Sequence, residues 1–506
     1  MKRMFCILFV VLFCACVPTP EKEFIISKED NLAEQKIHAA PLTEDTVSVL
    51  QSSADAPIGD GANGTPAKDS ERTAKAQTFP TRWDEEAFPI REYVTLAIHA
   101  DVETKEDGLY PVVETRKETM SNETVIALLG QLLTQPVSMQ YLDAKTKEEW
   151  GRELKEYVDT VADWQAWVDA GRPEIEGHDD TDFTPEEIEA TTAWYMEQIQ
   201  NAPDRIETKK VSDYRSYHIN ETVSYTLEDG GYASVTACND KPWRNYLQIS
   251  DGCKSCGYIY YAYQYEDCSK EGADAAMKRT AALWKETTLS REDAEAIAYR
   301  EIERLGFSDF RIAYGEKAIL LDVREGAADR FVATGWGFRF NRDYGGYPTI
   351  DVKFEPSHLL NYGDDDAFAV NEPIREEQIE VFVDENGIQF FAYSNPKAVT
   401  GLLNANVELL PFSEIQRIVK NTLSVCYPVQ RYQGSADWQW NLEVYRVVLT
   451  TYTLHKRDAD GYYEMPCWIV LFDGWQGRER DTQNMRMQSI IINAVDGTVV
   501  HSAQGY

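Results

Sequence analysis

The stretch Ser413-Glu-Ile-Gln-Arg-Ile-Val-Lys-Asn-Thr-Leu423 decides the fold class. It opens as a capping box, with Gln416 three residues after Ser413, and Ile415, Ile418, Val419 and Leu423 fall on one helical face. Strand-like segments follow at Glu443 to His455, Glu464 to Phe472 and Ser489 to Ala494. The turns between and after them are Asp458-Ala-Asp-Gly461 and Val495-Asp-Gly497. A helix that must bury one stripe, followed by strands that must bury one face, predicts an α+β unit of antiparallel sheet with a packed helix.

The same order occurs once more upstream. Ser290-Arg-Glu-Asp293 opens a helix with Ala294, Ile297, Ala298, Ile302 and Leu305 inward and Gly306 just past its end. Strand-like segments at Ala318 to Val323 and Trp336 to Phe340 come next. The C-terminal half therefore reads as two helix-then-meander modules, 286–404 and 405–506. Residues 89–285 read as a third region. Tyr93 to Glu103 and Leu109 to Arg116 form a strand pair across Glu106-Asp107-Gly108, and a helical block and a β-rich stretch holding four cysteines follow. In the helical block Ser121 caps the first helix. Trp150, Leu154, Tyr157, Val161, Trp164 and Val168 line one face of the second, and Thr184-Pro185-Glu186-Glu187 opens the third. Residues 16–88 mix small, polar and charged residues with few large apolar ones, which predicts a flexible tether after residue 16. The match Gly59-Asp-Gly61-Ala-Asn-Gly64 to a dinucleotide fingerprint lies in this tether, with no strand before it and no helix after it, and is rejected.

At the start, Lys2 and Arg3 precede an unbroken apolar run from Met4 to Phe13. That run is too short for a bilayer span of about 20 residues and reads as a cleavable export signal over residues 1–15. Ala15-Cys16 resembles a bacterial lipoprotein lipobox, which implies a diacylglyceryl group on the Cys16 thiol. Cys14 is the poorer acceptor because bulky Phe13 precedes it. The expected location is the extracytoplasmic face of the cell membrane, held by lipid. With 50 basic against 85 acidic residues the net charge is −35. An anionic lipid surface repels such a body, so the acyl chains must hold it, and nucleic acid is excluded as a partner.

The helix-then-meander order, ending in Ile490-Ile-Ile-Asn-Ala-Val-Asp-Gly-Thr-Val-Val500 and including Met465-Pro-Cys-Trp468, resembles the PepSY and YycH/YycI-type modules of bacterial envelope proteins. The whole chain is similar to large lipoproteins of Gram-positive gut bacteria. The resemblance covers 290–345 and 405–502. It implies inhibition, sensing or partner binding, and it brings no catalytic residues.

Candidate chemistry centres on Cys238, Cys253, Cys256 and Cys268. Outside the cell two disulfides in some pairing are the first expectation, a tetrahedral structural zinc is the second and free thiols the third. Cys426 and Cys467 could pair or sit singly in the core. The hydrolase motifs G-x-S-x-G and H-E-x-x-H are absent, as is any P-loop, and the seven histidines are scattered. Trp336, Phe338, Tyr344 and Tyr347 around Gly345-Gly346, with Trp438 and Trp440, are either core or a sugar- or protein-binding platform. No catalytic residue and no cofactor beyond the covalent lipid is expected. The expected function is non-catalytic binding, sensing or inhibition in the cell envelope, with an envelope protein or wall component as partner. The rival readings are an envelope hydrolase of wall glycan or peptide, and a solute- or glycan-binding lipoprotein.

Overall fold

A computed structural model describes residues 76–91, 93–142, 145–170, 183–241, 244–261, 287–323, 330–348, 350, 376–426, 439–456, 461–476 and 486–500. It is an α+β protein built on two sheets. The first holds β1 (Arg82–Arg91), β2 (Val94–Glu103), β3 (Val112–Lys117), β14 (Lys397–Asn404), β15 (Trp440–His455), β16 (Tyr462–Gln476) and β17 (Arg486–Asn493). Its order is β1-β2-β15-β16-β3-β14, with β17 also on β16. The second holds β4 (Pro136–Tyr141), β5 (Lys209–Lys210), β6 (Thr222–Leu227), β7 (Tyr232–Lys241), β8 (Arg244–Asp251), β9 (Cys256–Tyr261), β10 (Phe310–Val323), β11 (Arg330–Arg342), β12 (Gln378–Asp384) and β13 (Gly387–Ser394). Its order is β5-β4-β6-β7-β8-β13-β12-β11-β10-β9. Among the described residues the helices are α1 (Asn122–Leu132), α2 (Lys147–Asp169), α3 (Pro185–Asn201), α4 (Arg291–Arg304) and α5 (Phe412–Cys426).

Strand β3 pairs antiparallel with β14. Every described strand between them, from β4 to β13, belongs to the second sheet, which is thus an insertion in the first. The two connecting segments run side by side, with the Glu118 N–H donating to the Pro396 carbonyl at 2.8 Å. This pairing cuts across the segments drawn from sequence, since strands from 89–285, 286–404 and 405–506 all meet in one sheet. The expected hairpin of β2 with β3 does not form. The long strand β15 inserts parallel beside β2, and β16 pairs β3. The folded part also begins earlier than residue 89: β1 pairs β2, and Trp83 enters the core.

Each sheet buries an amphipathic helix, as the apolar spacing demands. Ile415, Val419 and Leu423 of α5 join the first sheet's core, and Ala294, Ala298 and Ile302 of α4 join the second's. The predicted caps at Ser121, Thr184 and Ser290 accept the N–H three residues on. Helix α5 instead starts at Phe412, one residue before the expected Ser413 cap, and the Glu414 N–H bonds the Pro411 carbonyl. Met465 to Phe472 of β16 are buried at every position, which explains their unbroken apolar run. Pro466 in this central strand lacks a ladder N–H. It falls where β16 changes neighbours: the pairing with β3 ends at Glu464 and that with β17 begins at Cys467.

Candidate functional site

The only junction of buried acids and bases among the described residues that spans both sheets lies where they meet. Glu377, just before β12, is its hub. Arg342 at the end of β11 grips it with two donors, Nε to Oε2 at 2.6 Å and Nη2 to Oε1 at 3.0 Å. Tyr393 of β13 donates its hydroxyl to Oε1 at 2.7 Å, and the backbone N–H of Lys397 adds a bond at 3.1 Å. Arg342 also donates to Asp309 at 2.6 Å. From that bond the Lys397 side chain points into the first sheet. Its ammonium sits 3.0 Å from Glu464 on β16, bonds the Thr453 hydroxyl on β15, and lies 3.8 Å from Glu376. Thr115 on β3 donates to Glu464 at 2.8 Å. Lysine and glutamate here are 4% and 1% exposed.

Such charges persist out of water only because each is paired and hydrogen-bonded. Burial opposes the Lys397 charge, but Glu464, Glu376 and Glu377 outweigh it and hold the ammonium above the ordinary lysine range. Arg342 behaves the same way: burial is overcome by Glu377 and then Asp309. Burial, then Glu464, push Glu376 up against the pull of Lys397. Its side chain is 41% exposed, yet its Oε1 is buried with no hydrogen-bond partner among the described residues. An amine nucleophile or base needs a lowered pKa, and Lys397 has moved the other way. The site is therefore built to hold β3, β14, β15 and β16 against β11–β13.

A second tie comes from residues 343–350. Gly345 and Gly346 take positive φ, and Lys105 donates to the Gly345 carbonyl. The Tyr347 hydroxyl donates to the Pro111 carbonyl at 2.9 Å, and Tyr347 and Ile350 join the first sheet's core. The tyrosines weighed as a binding platform, Tyr344 and Tyr347, are buried. Phe338 is buried too, and the Trp336 indole donates to the Leu289 carbonyl. Trp438 lies outside the described residues.

Of the four cysteines singled out in the sequence, Cys238, Cys253 and Cys256 are described, and none of the three is bridged to another. Cys253, in the turn after β8, and Cys256, opening β9, keep free thiols. Cys238 is buried on β7 and is bridged to neither. Gly252 bonds Tyr232, so six residues of β7, on the order of 20 Å, separate that turn from Cys238. Cys238 and Cys253 therefore cannot ligate one zinc across that span. The buried carboxylate of Asp322 holds the turn by accepting the N–H groups of Lys254 and Ser255. Burial pushes the thiols of Cys253 and Cys467 up, away from thiolate chemistry. Cys268 and Cys16 lie outside the described residues, as does the Cys426 side chain.

Helices α2 and α3 form the remaining distinctive surface. They project from the β4–β5 edge and pack on each other far more than on any other element. Trp150 meets Trp194 at 5.4 Å and Tyr195 at 6.2 Å, and Trp164 meets Phe183 at 5.5 Å, so the pair is antiparallel. Neither helix has a single buried residue.

No protein-family model matches the chain, and no curated protein does. A crystal structure of an uncharacterized protein from Eubacterium rectale ATCC 33656 is similar at 12% identity and a TM-score of 0.41, over 83% of this chain and 93% of that one.

Proposed function

We propose that this is a membrane-anchored extracytoplasmic lipoprotein, fastened through Cys16, with a non-catalytic binding, sensing or inhibitory role in the cell envelope. The observation that carries the non-catalytic reading is the state of the buried nucleophiles. The Lys397 amine and the Cys253 and Cys467 thiols are all shifted toward their protonated, unreactive forms. Their neighbours are structural partners drawn from several strands. The leader Lys2-Arg3, the apolar run and Ala15-Cys16 support the location. Helix α5 followed by β15, β16 and β17 is in keeping with a PepSY-like module in 405–506, and α4 followed by β10 and β11 with a second in 286–404. The partner is an envelope protein or wall component. Two measurements test this. Labelled palmitate should enter the wild-type chain and not Cys16→Ser. The purified chain should cleave neither wall glycan nor peptide above background; turnover abolished by Lys397→Met would refute the non-catalytic role.

A further inference from the structure

The α2–α3 hairpin is an amphipathic pair that has found only half of its cover. Six aromatic rings, those of Trp150, Tyr157, Trp164, Phe183, Trp194 and Tyr195, contact one another along the seam. In a packed layer such rings would be buried, but here none is. Trp194 of the seam is itself 47% exposed, and beyond the seam Val158 and Met196 are 48% and 56% exposed. Val158 and Met196 each stand one residue past a seam tyrosine, Tyr157 and Tyr195. One residue turns a helix by about 100°, and in an antiparallel pair equal rotations turn both side chains to the same side of the hairpin. That side presents a shallow apolar trough between two helices.

The charge around the trough selects its occupant. Helix α2 carries seven acidic and three basic residues, and α3 four acidic and no basic ones. A second copy of the hairpin would bring the same excess against itself, and an anionic lipid surface would be repelled. We infer that the hairpin docks a cationic, apolar-faced helix of a partner polypeptide, which lies along the trough as the third member of a helical layer. This names the partner chemistry for the binding role proposed above and rests on it. The apolar face of the partner covers Val158, Met196 and the seam, and its Lys and Arg residues meet the flanking carboxylates.

The test uses the full chain and three synthetic probes: a Leu/Lys heptad helix, the matching Leu/Glu helix, and an unpatterned lysine peptide of equal charge. Titration should show one-to-one binding of the Leu/Lys helix, at least about tenfold tighter than of the lysine peptide, and weakening as salt screens the acids. The Val158→Ser/Met196→Ser chain should lose about tenfold or more of that affinity, since two half-exposed apolar side chains leave the contact. Both positions are on the surface, so an unchanged melting curve separates lost contact from lost fold. Tyr258→Ser, at an exposed apolar residue on the far edge strand β9, should bind as wild type. Equal affinity for the lysine peptide, or a double variant that binds normally, would overturn the inference. So would a dimer, or binding to anionic vesicles, that the double variant abolishes. None of those outcomes would touch the non-catalytic reading, which stands or falls on turnover.

Discussion

Replacing Lys397 with Met is the sharpest probe of the buried charges beside the sheet junction. The ammonium stands 3.0 Å from Glu464. At an effective dielectric near 20 their attraction is between about 5 and 6 kcal/mol, part of which offsets the desolvation of both groups. The variant loses the ion pair and leaves a carboxylate that is 1% exposed with hydroxyl donors from Thr115 and Thr453 but no cation in contact. Breaking a buried pair from one side costs about 3–5 kcal/mol. Chemical denaturation read by tryptophan fluorescence should show a loss of that size. The double variant Lys397→Met/Glu464→Gln removes the stranded charge and should recover most of it. The pH profile adds a second check. Because the folded-state pKa of Lys397 is raised, its contribution is complete below the ordinary lysine value and is lost only as pH rises through the raised one. Wild type and single variant should therefore differ by a constant amount across the neutral range and converge only in strong alkali. A single variant within about 1 kcal/mol of wild type, or a double variant no better than the single, would refute the reasoning.

Three further outcomes follow from the same structure. Trp468, fully buried and packed at 5.2 Å from Phe79 and 5.1 Å from Phe412, should cost about 3–5 kcal/mol on replacement by Ala, measured by denaturant titration. The Asp251 carboxyl is held above its ordinary value by burial, then by Asp229 and Asp384, so its charge weakens the fold at neutral pH. Asp251→Asn should raise the melting temperature near pH 7, and that gain should vanish as pH falls through the raised value toward 3.8, where wild type is protonated as well. Native alkylation followed by mass mapping should label exposed Cys256 before buried Cys253 and Cys467.

Much of the local structure was legible because it obeys local rules. The three confirmed caps, the α2 face from Trp150 to Val168 and the strands after α4 and α5 all follow from spacing within a few residues. Strand β1 escaped notice because Arg82-Trp-Asp-Glu-Glu-Ala-Phe-Pro-Ile-Arg91 is an edge strand, largely exposed, with charges and a proline that the interior would not tolerate. The partners of β2 and β3 were illegible for a different reason. Nothing within either segment specifies β15 and β16, which come from the far end of the chain, and short sequence separation wrongly favoured a hairpin. The acids of the polar junction could not be singled out, because Glu377 and Glu464 are two among 85 acidic residues. One signal was present. Glu464 sits immediately before the run Met465-Pro-Cys-Trp468-Ile-Val-Leu-Phe472, where a carboxylate must be paired or expelled.

The junction and the hairpin belong to one mechanical argument. The described chain enters at residue 76 beside the first sheet, where the Gln77 side-chain amide donates to the Val407 carbonyl, whereas the hairpin hangs from the outer edge of the second. Among the described strands, the chain passes from one sheet to the other only through the paired segments around Glu118 and Pro396. Two strands alone would leave a hinge. The Glu377 carboxylate that Arg342 holds accepts the Lys397 N–H, and Glu376 meets Lys397 and the Thr453 hydroxyl, so that with Tyr347 seated in the first sheet's core these contacts close that hinge. In the proposed anchored protein these contacts fix how α2 and α3, on the second sheet, are held relative to the first. Arg342→Met should then loosen the angle between sheets while leaving each core folded. Distance distributions between spin labels on α3 and α5 should broaden, and a distribution as narrow as that of wild type would show that the covalent crossing alone sets the geometry.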